Sequence, residues 1–132
     1  MIAGKFRFHG HGSLRYVYVN GKAQRSHYVT VKSVTNARRK FSRFSVVVSK
    51  KVLKSAVGRN RIRRRIYEYV RQNMDLMQGV HDVVIICTSS ELRAMPYEQL
   101  SDQLDQLFIK AGLYPDGTKT VILDEENQER LN

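Results

Sequence analysis

The alternation of apolar and polar residues along 26–34 is the clearest strand pattern in the chain. Val29 and Val31 fall on one side of an extended backbone, and polar or aromatic residues fall on the other. This alternation predicts a strand with one buried face. Residues 44–48 form a second segment of strand composition, and the basic turn 36–40 lies between the two. We therefore expect these two strands to pair as an antiparallel hairpin.

The first of two helical patterns begins after Ser55, a residue whose hydroxyl group can cap the first turn of a helix. Ile62, Ile66 and Tyr69 then recur at a spacing of three or four residues, so they form one apolar stripe. The pattern predicts a helix over 56–73 that buries this stripe.

A continuous aliphatic run at 82–88 predicts a strand that is buried on both faces. The second helical pattern follows it. Pro96 stands at the start, where the fixed φ of proline suits the first turn of a helix. Leu100, Leu104 and Leu107 lie on the apolar stripe of this helix.

Residues 12–20 fit two kinds of element. Leu14 and Tyr18 have the spacing of one helical face, whereas the four residues from 16 to 19 have the aromatic and β-branched composition of a strand. Both possibilities stay open at this point, because Gly21 would end either element.

These elements together predict an α+β fold, with one layer of strands and helices packed on it. We expect residues 1–114 to form a single domain, because the chain holds no internal repeat and no linker. Residues 115–132 are acidic near their end, and we expect them to form a loosely ordered C-terminal extension. Residues 120–123 are a candidate edge strand within it.

The charges of the chain are strongly segregated. Residues 1–73 carry 19 Lys and Arg against one acid, whereas residues 74–132 carry 4 against 11, and the formal net charge is +11. Segregation of this kind marks a basic face for a polyanion, and nucleic acid is the first candidate. An anionic membrane surface would require a wide apolar helix face, whereas the basic half has only a narrow aliphatic stripe.

Composition excludes several other classes of protein. With a single cysteine, Cys87, no intrachain disulfide can form, which fits a reducing compartment. The longest aliphatic run is far too short to cross a bilayer, and the first residues hold no apolar stretch of signal-peptide length. We therefore expect a soluble, cytoplasmic protein without a membrane partner.

Five arginines occupy seven positions at the start of the helix predicted over 56–73. They surround it except along the stripe of Ile62 and Ile66, so its first turns must project beyond the core, because unpaired buried charge is too costly. Cations at a helix N-terminus oppose the helix dipole by up to ~1 kcal/mol each, and Gly58 costs roughly 1 kcal/mol relative to alanine. Bound phosphate removes both objections, because backbone amides and arginines bind it and glycine allows close approach. A merely solvated face would mix acids with its cations, and the first acid is Glu68.

The same residues show a family resemblance. Val-Val-Val-Ser-Lys-Lys at 46–51, followed by Ala-Val-Gly-Arg-Asn-Arg-Ile-Arg-Arg at 56–64, resembles the signature of the bacterial ribonuclease P protein subunit. The resemblance extends over residues 6–114. It implies a small α/β sandwich of about four strands and three helices, similar to a domain of ribosomal proteins. It also implies a left-handed βαβ crossover through the arginine-rich helix.

The resemblance implies a function as well. Members of that family bind the catalytic RNA of ribonuclease P and the 5′ leader of precursor tRNA, and they assist the endonucleolytic removal of the leader. The RNA performs the hydrolysis with Mg²⁺. We therefore expect no cofactor bound by the protein alone and no small-molecule substrate.

The residues expected to contact the catalytic RNA are Ser49, Lys50, Lys51, Lys54, Arg59, Asn60, Arg61, Arg63, Arg64 and Arg65. The cleft that would hold the leader corresponds by position to Leu14, Tyr18, Tyr28 and Val31. Tyr28 and Val31 fall on opposite faces of a regular strand, so we expect Tyr28 to join Tyr18 as an aromatic surface for single-stranded bases. Tyr67 departs from the family, in which a basic residue is frequent at that position.

The side chains offer little for catalysis or metal binding. A nuclease acting alone would need clustered carboxylates for its metal ions, and the basic half has only Glu68. His9 and His11 lack further ligands for a metal site, and Cys87 suits a small core residue. We therefore expect no catalytic residue and no metal site in the protein. The alternative function is that of a ribosomal-protein-like structural RNA binder with no role in cleavage.

Overall fold

Three helices and one sheet of four strands form the described part of the computed structural model, residues 2–8 and 10–117. The helices are α1 (His11–Asn20), α2 (Ala56–Asn73) and α3 (Tyr97–Lys110), and the strands are β1 (Lys22–Arg25), β2 (Val29–Thr35), β3 (Arg43–Val48) and β4 (His81–Cys87). Short 3₁₀ turns lie at Gly4–Phe6, Met74–Leu76 and Ser90–Arg93. The predicted α+β class is confirmed, and the ambiguous segment 12–20 is helical.

The strands are ordered β1-β2-β4-β3 across the sheet. β2 is antiparallel to both of its neighbours, whereas β3 and β4 are parallel and α2 connects them. The predicted hairpin of β2 and β3 is therefore wrong, because β4 lies between them. The central position suits the long aliphatic run of β4, since it buries both faces and satisfies the backbone groups of both edges. The left-handed sense of the crossover stays an implication of the family resemblance.

β1 has no counterpart among the predicted strands, because its residues, Lys-Ala-Gln-Arg, show no apolar alternation. It forms an edge strand, and its pairing with β2 runs from Lys22 opposite Ser33 to Arg25 opposite Thr30. The amide of Ser26 donates to the carbonyl oxygen of Val29 at 2.9 Å, which closes the turn between the two strands. The strand thus depends on its neighbour rather than on its own composition.

The two faces of the sheet bury different clusters. The larger core lies between the sheet and helices α2 and α3, and it includes Val29 and Val31 of β2. The smaller cluster, formed by Phe8, Val17 and Val84, lies on the opposite face under α1. This division confirms the alternation predicted for β2, because its odd-numbered valines face the larger core.

The later turns of α2 hold the helix in the larger core. The hydroxyl group of Tyr69 donates to a carboxylate oxygen of Asp105 at 2.5 Å and lies 2.8 Å from the hydroxyl oxygen of Tyr114. Burial raises the pKa of both tyrosines, so both hydroxyl groups stay protonated. These contacts join the later turns of α2 to α3 and to the segment that follows α3.

The predictions for the C-terminal extension concern mostly residues 118–132, which lie outside the described residues, as does the candidate strand 120–123. The division into a domain at 1–114 and an extension at 115–132 stays a prediction. Among the helices described, none has both the length and the apolar character that a bilayer span requires.

Candidate nucleic-acid interface

The start of α2 is capped as the sequence predicts. Ser55 has an extended backbone, and its hydroxyl oxygen accepts a hydrogen bond from the amide of Gly58 at 3.0 Å. Beyond this cap the first turns project from the core, since Val57 is 73% exposed and Arg61 is also exposed. Ile62 is fully buried. The helix therefore contacts the protein along one stripe and offers the rest of its first turns to a partner.

Arg59 does not extend freely into solvent. Its Nη1 atom donates to the carbonyl oxygens of Leu53 at 3.0 Å and Lys54 at 2.7 Å, both in the segment that precedes α2. The side chain thus fixes that segment against the helix.

Arg65 also binds backbone carbonyl groups of a neighbouring segment. Its guanidinium group donates to the carbonyl oxygen of Leu92 at 2.6 Å and to that of Met95, in the connection between β4 and α3. Burial, and then the charge of Arg61, lower the pKa of Arg65. Arg59 and Arg65 therefore bind backbone groups of the protein itself. Contact between these two arginines and RNA stays a prediction.

The other predicted RNA-binding residues lie together at the end of β3 and the start of α2. We call this group the α2 basic surface, and it comprises Ser49, Lys50, Lys51, Lys54, Asn60, Arg61, Arg63 and Arg64. The carbonyl oxygen of Ser49 accepts hydrogen bonds from the amides of Val52 and Leu53 at 3.1 and 3.3 Å. The resulting turn places Lys50 and Lys51 at an exposed tip beside the helix.

Two further contacts shape the charge of this surface. Nη1 of Arg63 donates to Oδ1 of Asn60 at 2.7 Å, which uses a neutral acceptor and leaves the positive charge in place. Glu68, the one acid of the basic half, forms an ion pair with Arg71 at 2.5 Å. The hydrogen bond from Arg71 lowers the pKa of Glu68. Glu68 is thus paired within α2 itself, and the α2 basic surface keeps its net positive charge.

Gly58 has a different role from the one inferred from the sequence. A Cβ atom at this position would lie 2.6 Å from Cδ2 of Leu53 and 3.1 Å from Nη1 of Arg93. The space that glycine leaves open is thus filled by two side chains of the protein itself. Side chains of the protein, rather than open space for a phosphate group, thus lie next to Gly58 in the first turn of α2.

The second candidate surface lies on the sheet face that carries α1, and we call it the α1 face. Tyr18 is 36% exposed there. Nζ of Lys32 lies 5.5 Å from the centroid of the tyrosine ring and donates to the backbone carbonyl oxygen of Tyr18 at 3.1 Å. Burial raises the pKa of the Tyr18 hydroxyl group, which therefore stays protonated at neutral pH. An aromatic ring beside a cation suits a nucleotide, with the ring for the base and the cation for the phosphate.

Half-buried apolar residues form a floor beside Tyr18. Leu14 of α1, Val47 of β3 and Ile86 of β4 all pack against the smaller cluster and remain partly exposed. α1 packs mainly on β2 and β4, so the outward-facing side chains of β3 are less covered. The predicted site residues Leu14 and Tyr18 therefore lie together on one accessible face.

The other two residues predicted for the leader cleft lie elsewhere. Val31 is fully buried in the larger core, so direct contact between its side chain and RNA is ruled out in this fold. Tyr28 packs against the larger core and lines a shallow depression with Glu91 and Met95. The expected pairing of Tyr28 with Tyr18 on one face is therefore not formed. A separate contact between Tyr28 and RNA stays a prediction.

Sequence reasoning also missed residues that shape the α1 face. Lys32 lies on the same side of β2 as Thr30, so the predicted alternation of the strand could have assigned it to this face. Phe8 and Arg43 are harder to find, because they meet through a parallel contact of the N-terminal segment with β3. The Cζ atom of Arg43 lies 4.9 Å from the centroid of the Phe8 ring.

Metal-binding residues are sparse in the part of the chain that the structure describes. Residues 2–8 and 10–117 contain no cluster of three or more His, Cys, Asp or Glu that could hold a metal ion. His9, one half of the histidine pair, lies outside the described residues. Burial raises the pKa of the Cys87 thiol to about 12, so this residue is a protonated core side chain rather than a metal ligand or a nucleophile.

Comparisons with known proteins agree with this arrangement. The family model described as "Ribonuclease P" matches residues 3–112. The chain is 39% identical over 102 residues to the ribonuclease P protein component of Clostridium botulinum strain Loch Maree, covering 76% of this chain and 88% of that protein. It is 29% identical over 111 residues to the ribonuclease P protein component of a Pseudanabaena species, covering 84% of this chain and 95% of that protein.

Solved structures show the same fold. The ribonuclease P protein of Staphylococcus aureus superposes with a TM-score of 0.74 at 22% identity, over 83% of this chain and 98% of that one. The ribonuclease P protein of Thermotoga maritima superposes with a TM-score of 0.64 at 24% identity, over 71% of this chain and 87% of that one.

Proposed function

Because the chain belongs to the ribonuclease P protein family, we propose that it binds the catalytic RNA of ribonuclease P with the α2 basic surface and the 5′ leader of precursor tRNA with the α1 face. The family membership makes it a protein subunit of ribonuclease P. The contacts with each RNA are the proposal. The observation on which it depends most is the concentration of projecting cations at the start of α2, where the one acid of the helix is already paired.

The catalytic RNA is the partner that best fits the α2 basic surface. Lysines at the tip of a turn and arginines on a projecting helix can bind several phosphate groups of a folded RNA at once. Arg59 and Arg65 hold the flanking segments in place, so the cations are preorganised before the RNA arrives. Preorganisation lowers the entropic cost of binding.

The leader fits the α1 face because it is single-stranded. Its bases can stack on Tyr18 and rest on the apolar floor next to Leu14, while its phosphates lie near Lys32. The role of the protein in this proposal is to hold the leader and the catalytic RNA at the same time. Hydrolysis then belongs to the RNA and its Mg²⁺ ions, and the protein supplies position and charge neutralisation.

Reconstitution tests this function directly. The purified chain is added to a bacterial ribonuclease P RNA at low Mg²⁺, and cleavage of precursor tRNA is followed. We expect the chain to accelerate cleavage, and the Arg61→Ala/Arg64→Ala variant to do so only at higher protein concentration, since it loses two phosphate contacts. A ribosomal-protein-like binder would leave the cleavage rate unchanged at every concentration, which would refute the proposed role.

A further inference from the structure

The 3₁₀ turn Ser90–Arg93 is held against α2 by hydrogen bonds from a single side chain. Arg65 donates to the carbonyl oxygen of Leu92, which lies within the turn, and to that of Met95, which follows the turn. Leu92 is also buried, with 1% of its surface exposed. The end of the turn is therefore fixed relative to α2, and so is the backbone from which Arg93 extends.

Arg93 extends over the first turn of α2. Its Nη1 and Cζ atoms lie 3.1 and 3.3 Å from the point that a Cβ atom of residue 58 would occupy. Leu53 comes to the same place from the segment on the other side, which is fixed by Arg59. Side chains from both fixed segments thus meet above Gly58, and a Cβ atom there would displace at least one of them.

The charge of Arg93 has no counterpart among the residues that the structure describes. Across residues 2–8 and 10–117, its guanidinium group makes no described hydrogen bond or ion pair, although the residue is half-buried. It also lies over the first turn of α2, at the positive end of the helix dipole. A cation in this position is unfavourable in the free protein and becomes favourable when an anion lies beside it.

We propose that Arg93 is a further phosphate-binding residue of the RNA interface, and that Arg65 is a positioning residue that holds it there. The inference rests on the proposed function, since the anion is a phosphate group of the RNA that binds the α2 basic surface. It adds to that surface a cation from outside the arginine-rich helix. The inference also relates Arg65 to Gly58, because Arg65 fixes the turn that carries Arg93 and Gly58 leaves space for the Arg93 side chain.

The test measures the affinity of the chain for a bacterial ribonuclease P RNA over a range of salt concentrations. Arg93→Ala should weaken binding on the order of tenfold and should reduce the magnitude of the slope of log K against log[salt] by about 0.7–0.9. Arg25→Ala is the matched control, because it removes the same charge from β1, at the opposite edge of the sheet. Equal affinities and slopes for the two variants would overturn the proposal for Arg93.

A double-mutant cycle tests the role of Arg65. If Arg65 acts through Arg93, Arg65→Leu should reduce the salt slope as Arg93→Ala does, and the double variant should bind no more weakly than either single variant. Additive losses would overturn the positioning role. Circular dichroism confirms that each variant is folded, and Arg65→Lys serves as a milder second variant, since lysine cannot reach both carbonyl groups at once.

The Arg61→Ala/Arg64→Ala variant distinguishes a failure of the proposed function from a failure of the inference about Arg93. If that variant loses affinity while Arg93→Ala behaves like Arg25→Ala, the proposed function stands and the inference about Arg93 fails. If neither variant loses affinity, the α2 basic surface itself is not the RNA-binding surface, and both fail.

Discussion

Arg59 and Arg61 are two residues apart on α2, yet they face different partners. Arg59 donates to two backbone carbonyl groups of the preceding segment, whereas Arg61 is exposed. The two side chains have the same chemistry, so their difference arises only from the position of the helix relative to the neighbouring segments. In the proposed function, this difference separates a residue that stabilises the fold from one that is available to bind RNA.

We expect Arg59→Ala to lower the free energy of unfolding by about 1–2 kcal/mol, because two charge-assisted hydrogen bonds to the backbone are lost. Arg61→Ala should leave stability unchanged or raise it by a few tenths of a kcal/mol, because it removes a cation from the positive end of the helix dipole. Chemical denaturation of the two variants measures the difference. Equal stability of both would contradict the contacts of Arg59.

Asp82 makes the stability of the fold depend on pH. Burial acts to raise its pKa, but hydrogen bonds from Arg43 and Asn36, all at 2.9 Å, outweigh it and hold the pKa below its usual value. A carboxylate with a lowered pKa stabilises the fold above its unfolded pKa of about 3.9. This stabilisation is lost as the pH falls through the folded value.

The free energy of unfolding of the natural chain should therefore decline as the pH is lowered from about 5 towards 2. Asp82→Asn should be less stable at neutral pH and should decline less steeply over the same range, because it has no carboxylate to protonate. Denaturant titrations at several pH values give both curves. Parallel curves for the two proteins would contradict a lowered pKa for Asp82.

At the scale of elements, α1 covers part of one face of the sheet and forms with it the surface that we propose for the leader. Tyr18 and Tyr16 are both exposed on this helix, at 36% and 59%, but the described contact of Lys32 with an aromatic ring involves Tyr18. This difference makes Tyr16 a matched control for the aromatic contact.

Tyr18→Ala should weaken binding of precursor tRNA to the reconstituted ribonucleoprotein by about 1–3 kcal/mol, the usual contribution of one stacked base. Binding of mature tRNA, which lacks the leader, should not change. Tyr16→Ala should bind both substrates as the natural chain does. If Tyr18→Ala weakened the binding of both substrates equally, Tyr18 would support the fold of the protein rather than bind the leader.

The elements that depend on local signals are the ones that the sequence predicts best. Neighbouring residues alone predict the cap at Ser55, the buried stripe of Ile62 and Ile66 and the alternation of β2. The structure confirms all three features. The strand order is not local, because β4 reaches its place between β2 and β3 through a crossover of more than thirty residues.

In the candidate nucleic-acid interface, too, local sequence does not predict the contacts between distant segments. Charge and the family resemblance predict that residues of the segments 49–54 and 59–65 contact RNA, and the structure brings these two segments together. The tasks of Arg59 and Arg65 depend on backbone carbonyl groups of other segments, whose positions no spacing rule gives. The family resemblance predicts Val31 in the leader cleft by position, whereas the alternation of its own strand favours the core, where the structure has it.

At the scale of the whole molecule, charge is divided along the chain. The first 73 residues hold 19 of the 23 Lys and Arg, and the remaining 59 residues hold 11 of the 12 Asp and Glu. Net positive charge concentrated in the first half of the chain attracts a polyanion before contact is made and raises the rate of association. In the proposed function, the α2 basic surface carries part of this charge.

The salt dependence of binding tests the central claim that phosphate contacts of the basic half hold the RNA. The affinity of the full chain for a bacterial ribonuclease P RNA is measured over a range of monovalent salt at constant Mg²⁺. Contact with five to eight phosphates predicts that log K falls linearly with log[salt], with a slope of roughly −4 to −7. A slope near zero would show that the cations of the basic half are merely solvated, and it would contradict the account.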